Sequence, residues 1–113
     1  MDLTRLGVRP PIILNEHGSI DVFQSTEAAE IYMEPIDVEN GEYVAYDSEG
    51  RLLRIVPTSP RVTIETAELE PSHQDEVRAL LVRLLTHLGV PKEELLNLSL
   101  GALVKRSLQY EAK

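Results

Sequence analysis

Residues 72–91 read SHQDEVRALLVRLLTHLGVP and carry the clearest structural signal in the chain. Their apolar residues recur at intervals of three and four, which places them along one side of an α-helix. These residues are Val77, Leu80, Leu81, Leu84, Leu85 and Leu88. Ser72 with Asp75 resembles a capping box, so the helix is expected to begin at Ser72, and Gly89 with Pro91 predicts its end. A helix with one continuous apolar stripe needs an apolar surface to cover, and the residues before it predict a sheet.

A second amphipathic helical segment follows directly. Pro91 suits a first helical position, and Glu93 and Glu94 favour a helix N-terminus. Apolar residues continue at helical spacing past Gly101 to the basic pair Lys105-Arg106. The C-terminal part of the chain therefore predicts a helical hairpin.

The residues before Ser72 predict short strands, because apolar and polar residues alternate within them. The strands are expected at residues 12–14, 20–23, 42–47, 51–56 and 61–65. Asn15-Glu16-His17-Gly18 and Asp47-Ser48-Glu49-Gly50 have the composition of hairpin turns. Consecutive strands joined in this way pair antiparallel.

One short helix is expected after the first hairpin. Ser25 offers an N-cap, Glu27 and Glu30 lie in the following turns, and Pro35 predicts a helix end near Met33. Residues 34–41 are rich in turn formers and predict a loop.

These patterns predict an α+β fold. A small, mainly antiparallel sheet of about five short strands would be covered on one face by the C-terminal helices. Residues 12–113 would form a single α+β domain. Residues 1–11 end in a Pro-Pro pair and predict a flexible N-terminal arm.

Composition excludes several classes of function. The chain has 113 residues and no cysteine, so disulfides, Cys-ligated metals and thiol catalysis are excluded, and no cofactor is predicted. The N-terminal residues lack an export signal, and no apolar run is long enough to span a membrane. We therefore expect a cytoplasmic protein that binds neither membranes nor nucleic acids, because its net charge of −8 repels phosphate.

The negative charge is concentrated between Pro10 and Gly50, where ten acidic residues occur without a Lys or Arg. They are Glu16, Asp21, Glu27, Glu30, Glu34, Asp37, Glu39, Glu42, Asp47 and Glu49. Because they are interleaved with Ile, Val, Phe and Tyr, we expect them on a folded surface, where charge of one sign steers a basic partner.

Seven residues of this region are candidates for partner binding. They are Glu30, Glu34, Asp37, Glu39, Glu42, Tyr43 and Tyr46. The two tyrosines lie three apart on a strand and therefore on opposite faces, so one of them is expected to enter the core. The other is a candidate binding anchor, with half-buried packing of both as the alternative.

The acidic residues could instead form a metal site or a catalytic site. If Asp37 were the first ligand of a calcium loop, the required glycine and bidentate acid would fall at Glu42 and Ser48, so no metal site is predicted. No serine lies in a nucleophile motif, and no catalytic residue is assigned. The enzymatic alternative is a small hydrolase or isomerase that uses carboxylates with His17, and it predicts a pocket that brings His17 near Asp21 or Asp37.

Residues 32–53, YMEPIDVENGEYVAYDSEGRLL, resemble a segment of small acidic bacterial proteins of uncharacterised function, some of which resemble immunity proteins. The resemblance extends over roughly residues 12–56. It implies a cytoplasmic protein that covers the active site of a cognate toxin, and it implies no catalytic residues.

The leading functional hypothesis is a non-enzymatic, immunity-like protein that binds and neutralises a basic partner protein such as a toxin. A third hypothesis is a structural or regulatory homodimer formed through the C-terminal helices. The sequence leaves the choice between monomer and homodimer open.

Overall fold

The computed structural model describes residues 7–110, which form five strands and five helices. In chain order these are β1 (Ile12–Glu16), β2 (Ser19–Phe23), α1 (Thr26–Tyr32), α2 (Pro35–Glu39), β3 (Tyr43–Tyr46), β4 (Leu52–Pro57), β5 (Val62–Thr66), α3 (Gln74–His87), α4 (Lys92–Leu95) and α5 (Leu100–Tyr110). The strands form one sheet in the order β2-β1-β3-β4-β5, and every neighbouring pair is antiparallel. The predicted α+β class with a five-stranded sheet is confirmed.

The first hairpin has a two-residue turn. Glu16 pairs with Ser19, which leaves His17 and Gly18 as the turn residues. Their φ angles are 50° and 92°, and such positive values are what a type I′ turn requires. Asn15 Oδ1 accepts a hydrogen bond from the Gly18 N–H at 2.8 Å, which stabilises this conformation.

The sheet has an apolar core on each face, because alternate residues of a strand point in opposite directions. Ile13 and Val22 are fully buried in the core that Leu81 and Leu85 of α3 complete. Ile12 and Leu14 belong to the opposite core, which α1 covers through its buried face. Each fully buried aliphatic side chain contributes about 1.5–3 kcal/mol of transfer free energy. The helix α1, between β2 and β3, and the helix α3, after β5, thus lie on opposite sides of the sheet.

The region between β2 and β3 contains two helices rather than one. Ser25 caps α1 as predicted, since its Oγ accepts a hydrogen bond from the Ala28 N–H at 3.1 Å. The prediction of a loop over residues 34–41 is wrong, because Pro35 begins α2. Proline ends a helix that precedes it, but it also suits the first position of a new one.

The predicted capping box of α3 is also wrong. The N-cap is His73 and no side chain caps the helix. The His73 N–H donates instead to Gly50 O at 2.9 Å, so the turn between β3 and β4 satisfies this amide. The second C-terminal segment is divided into α4 and α5, and Ser99 Oγ accepts a hydrogen bond from the Ala102 N–H at 3.1 Å in the first turn of α5.

Residues 1–6 of the predicted arm lie outside the described residues, and its flexibility stays a prediction. Of the described part, Arg9 contacts the turn between β3 and β4. Its N–H lies 3.3 Å from Asp47 Oδ2, and its carbonyl accepts a hydrogen bond from the Ser48 N–H at 2.9 Å.

No helix within residues 7–110 combines the length and the apolar character that crossing a membrane requires.

Candidate functional site

Five polar residues meet at one end of the sheet, and we call them the hairpin cluster: Glu16, His17, Asp37, Glu42 and Tyr43. The antiparallel pairing of β1 with β3 sets Glu16 opposite Tyr43. His17 lies at the hairpin tip with its Nε2 3.9 Å from Glu42 Oε1. From α2, Asp37 accepts a hydrogen bond from the Tyr43 hydroxyl at 3.3 Å. Three elements distant in sequence therefore bring three carboxylates together.

Burial, and after it the neighbouring carboxylates, raise the pKa values of Glu42 and Tyr43. The pKa of Glu42 is raised, first by burial and then by its hydrogen bond to Asp37 and the charge of Asp37, whereas His17 opposes the shift. The pKa of Tyr43 is raised to about 12 by burial and by the charges of Glu16 and Asp37. Like charges repel each other, so a cationic group of a partner near these carboxylates would relieve the repulsion.

Within residues 7–110, the carboxylates of the hairpin cluster form no ion pair with a Lys or Arg. The ion pair of Glu42 is with the exposed His17, which is charged only when protonated. The cluster therefore keeps its capacity for a cationic partner.

Two of the predicted contact residues have other roles. Glu30 Oε2 accepts a hydrogen bond from the Ile64 N–H of β5 at 2.6 Å. Because β5 is an edge strand, this carboxylate takes the place that the carbonyl of a further strand would occupy. Tyr46 packs against the α3 core with its ring 5.7 Å from that of His73, on the face of the sheet opposite Tyr43. Neither side chain is placed to join the hairpin cluster.

Two further acids of the Pro10–Gly50 block are buried. Asp47 is fully buried and accepts hydrogen bonds from the backbone N–H groups of Arg9, Glu49 and Arg51 and from Arg51 Nη1. Asp21 is also buried. The exposed negative charge is therefore smaller than the sequence count of acids indicates.

The hairpin cluster brings His17 near Asp37 through Glu42, but at an exposed hairpin tip and not in the pocket that the enzymatic hypothesis requires. His17 is exposed, and its ion pair is with Glu42, not with Asp21 or Asp37. Asp21 lines a cavity of about 660 Å³ together with Gly18 and His87, but His17 is not among the residues that line it. Residues 7–110 contain no group of three or more His, Asp or Glu side chains placed to hold a metal ion.

Comparison of the chain with models of protein families, with curated proteins and with solved structures finds no match. The resemblance to immunity proteins therefore stays a prediction.

Three exposed apolar side chains of α1 and α2 were not predicted. Ile31, Tyr32 and Ile36 are 80%, 41% and 61% exposed. Together with the exposed Glu34 and Glu39 they form what we call the α1–α2 surface. Residues 31 and 36 lie within about 18 Å of each other, since five extended residues reach no further.

Tyr32 joins this surface to the hairpin cluster. Its hydroxyl donates to Glu16 Oε1 at 3.2 Å, and its ring lies 5.1 Å from the ring of the buried Phe23. A tyrosine held in this way presents a rigid apolar edge next to carboxylates. The sequence does indicate this exposure. The segment of α1 contains more apolar residues than one buried helix face accommodates, and Ile31 and Tyr32 are the additional ones.

Proposed function

We propose that this chain is a non-enzymatic binding protein of the immunity type, which binds and neutralises a basic partner protein such as a toxin. The α1–α2 surface and the hairpin cluster would form the contact area. The observation that carries the proposal is the exposure of Ile31, Tyr32 and Ile36, with Tyr32 beside Glu16 and Ile31 beside Glu27, Glu30 and Arg61. Isolated exposed apolar residues are common on any protein, but three within six residues supply the apolar centre that a specific interface needs.

The distribution of charge supports a basic partner. Glu34 and Glu39 are exposed on the α1–α2 surface, and the hairpin cluster adds carboxylates without Lys or Arg partners in the described chain. Acids around an apolar centre accelerate association with a basic surface and disfavour acidic partners. The proposed contacts are therefore Glu34, Glu39 and the hairpin cluster around the three apolar residues, with Glu30 and Tyr46 left out.

The extent of the surface is compatible with a protein interface. A standard interface buries about 800 Å² on each partner, which corresponds to a patch about 30 Å across. The described chain measures 42 × 25 × 20 Å, so such a patch would take up the whole 25 Å width of a broad side and extend around its edges.

The proposal is tested by capture with matched variants. The purified full chain is immobilised, and proteins retained from a lysate of the source organism are identified by mass spectrometry. We expect a basic protein that the wild type and Leu69→Ser retain and that Ile36→Ser loses. Both substitutions remove an exposed aliphatic side chain, but Leu69 lies in the loop between β5 and α3.

The captured partner is then measured for rate and for neutralisation. Glu39→Lys should slow association about threefold to tenfold at low salt, whereas Glu93→Lys on α4 should change it by less than about twofold. Co-expression of the chain should also suppress the toxicity or enzymatic activity of the partner. Equal retention by both serine variants, or an association rate that does not depend on salt, would contradict the proposal.

A further inference from the structure

A groove lies on the opposite side of the sheet, between the exposed side of α3 and α4. Its volume is about 700 Å³. The residues of α3 that line it include Asp75, Arg78, Val82 and Arg83, and Lys92 and Leu96 line it from α4 and the residue that follows. Those on α3 recur at helical spacing on the side away from the buried Leu81 and Leu85, so they form one continuous strip.

The groove is the positive part of an acidic protein. Arg78, Arg83 and Lys92 line it together with His87, and Asp75 is the acidic residue among the lining side chains. The sequence shows no basic run here, because the helix gathers bases that are separated by several residues. Residues 74–110 contain five Lys or Arg and four Asp or Glu, in contrast to the ten acids of residues 10–50.

Two of these cations are fixed in place. Arg78 Nη2 donates to Leu96 O at 3.0 Å, which ties the end of α4 to α3. Arg83 Nη2 donates to Gly18 O at 2.8 Å, across to the first hairpin. A guanidinium has five N–H groups, so each arginine keeps donors for a ligand while its position is set by the fold.

The floor of the groove is apolar. Ala79 and Val82 contribute from α3, and Leu96 beyond α4 is 56% exposed. Two cations rigidly held beside an exposed leucine favour a ligand that carries both carboxylates and aliphatic side chains. The lining residues of α3 extend from Asp75 to His87, roughly three and a half helical turns, and a strip of this length suits an extended or helical segment.

We propose that the α3–α4 groove binds an acidic amphipathic peptide segment of a partner protein, with carboxylates at Arg78, Arg83 and Lys92 and an aliphatic side chain against Leu96. The positive charge of the groove favours an acidic ligand over a neutral or basic one. Nucleic acid is disfavoured because none of the described Phe or Tyr side chains lines the groove to stack on a base.

The acidic surface of the protein does not prevent this binding. The α1–α2 surface and the groove lie on opposite faces of the sheet, and the thickness of two packed layers is about 20 Å. Electrostatic repulsion is screened over about 8 Å at physiological ionic strength. The groove approaches the hairpin cluster at Arg83, which contacts Gly18 next to His17. A peptide at Arg78 and Lys92 therefore responds mainly to the cations beside it, and it contacts other residues than the partner proposed above.

The probe is a fluorescein-labelled peptide of about 12 residues with Glu and Leu at helical spacing, titrated with the full chain and followed by fluorescence polarisation. We expect saturable binding with a Kd below about 100 μM, and weaker binding as salt rises. The same peptide with Gln in place of Glu should bind at least about tenfold more weakly.

Matched variants locate the binding. Lys92→Glu should weaken it about tenfold and Lys105→Glu by less than about twofold, since both lysines are exposed but Lys105 does not line the groove. Leu96→Ser should weaken binding about fivefold, while Leu69→Ser should have no effect. Amide chemical-shift changes on adding the unlabelled peptide should be confined to α3 and α4.

Three results would overturn the proposal. One is the absence of saturable peptide binding, and another is an equal loss for Lys92→Glu and Lys105→Glu. The third is a different occupant. A DNA oligonucleotide of similar length that binds where the peptide does not would assign the cations to phosphate. A dimer seen by light scattering and lost in Lys92→Glu would assign the groove to a second copy of the chain.

Discussion

Replacement of Glu30 by Ala should destabilise the protein by exposing the β5 edge. The Glu30 carboxylate accepts the Ile64 N–H at 2.6 Å, across 34 residues of sequence, and both the distance and the charge mark a strong hydrogen bond. A hydrogen bond to a charged group contributes about 1.5–3 kcal/mol. Because this bond is partly exposed, we expect the free energy of unfolding to fall by about 1–2 kcal/mol. For a domain of this size, that lowers Tm by about 4–10 °C.

Urea denaturation followed by circular dichroism measures the loss, and hydrogen exchange locates it. In Glu30→Ala the Ile64 amide should lose protection, while amides in β1 should keep theirs apart from the global shift. The control is Glu34→Ala, which removes an acid that makes no side-chain hydrogen bond at the start of α2, so stability should change by less than about 0.5 kcal/mol. Similar stabilities of the two variants, or unchanged exchange of Ile64, would refute the assignment of Glu30 to the sheet edge.

Three other substitutions test the structure. Asp47→Ala should lower the free energy of unfolding by about 3–5 kcal/mol in urea denaturation, because it leaves buried donors without an acceptor. Gly50→Ala should cost at least about 2 kcal/mol more than Gly41→Ala. Both glycines have positive φ, but a Cβ at Gly50 would lie 2.8 Å from Gln74 N, whereas one at Gly41 meets nothing within 4 Å. Tyr43→Phe should remove the tyrosine that titrates at about 12 in an absorbance titration.

The Tyr43 prediction includes a pH dependence of defined sign. An unfolded tyrosine ionises near 10, whereas folded Tyr43 ionises at about 12. Between these pH values the unfolded state loses its proton first, so the free energy of unfolding falls as pH rises through this range. Tyr43→Phe should flatten that part of the curve. An unchanged slope of unfolding free energy against pH would contradict the prediction for Tyr43. A small loss of unfolding free energy in Asp47→Ala would contradict the role of Asp47 as a buried acceptor. Equal losses in the two glycine variants would contradict the close contact between Gly50 and Gln74.

The strands were predictable because alternation is a local property of sequence. Val62 and Ile64 alternate with polar residues and are both buried in β5. The N-cap of α1 was predictable for the same reason, since Ser25 and Ala28 are only three residues apart. The start of α3 was not, because the His73 N–H is satisfied by Gly50, a partner 23 residues earlier that no local pattern contains.

Part of the candidate site could not be predicted either, because the roles of its residues are set by contacts with residues far away in the sequence. Composition located the carboxylates between Pro10 and Gly50, but it could not separate Glu30, which closes a strand edge, from Glu34, which is exposed. Hydrophobic periodicity identifies only the apolar residues that face the core. Ile36 lies in α2, which was predicted to be a loop, so no role was predicted for it. The basic groove could not be predicted from the sequence, because Arg78 and Lys92 become neighbours only when α4 folds back on α3.

Some of the ten acidic residues between Pro10 and Gly50 stabilise the fold and others are exposed, and this difference determines how their function can be tested. If the ten carboxylates were exchanged together, the loss of Asp47 and Glu30 would destabilise the fold, and reduced partner binding would then report unfolding. Glu34 and Glu39 carry negative charge on the α1–α2 surface and are exposed, so their replacement changes the surface potential with little effect on stability. A variant that binds poorly yet unfolds at the wild-type urea concentration therefore reports recognition, and only the exposed acids can give that result.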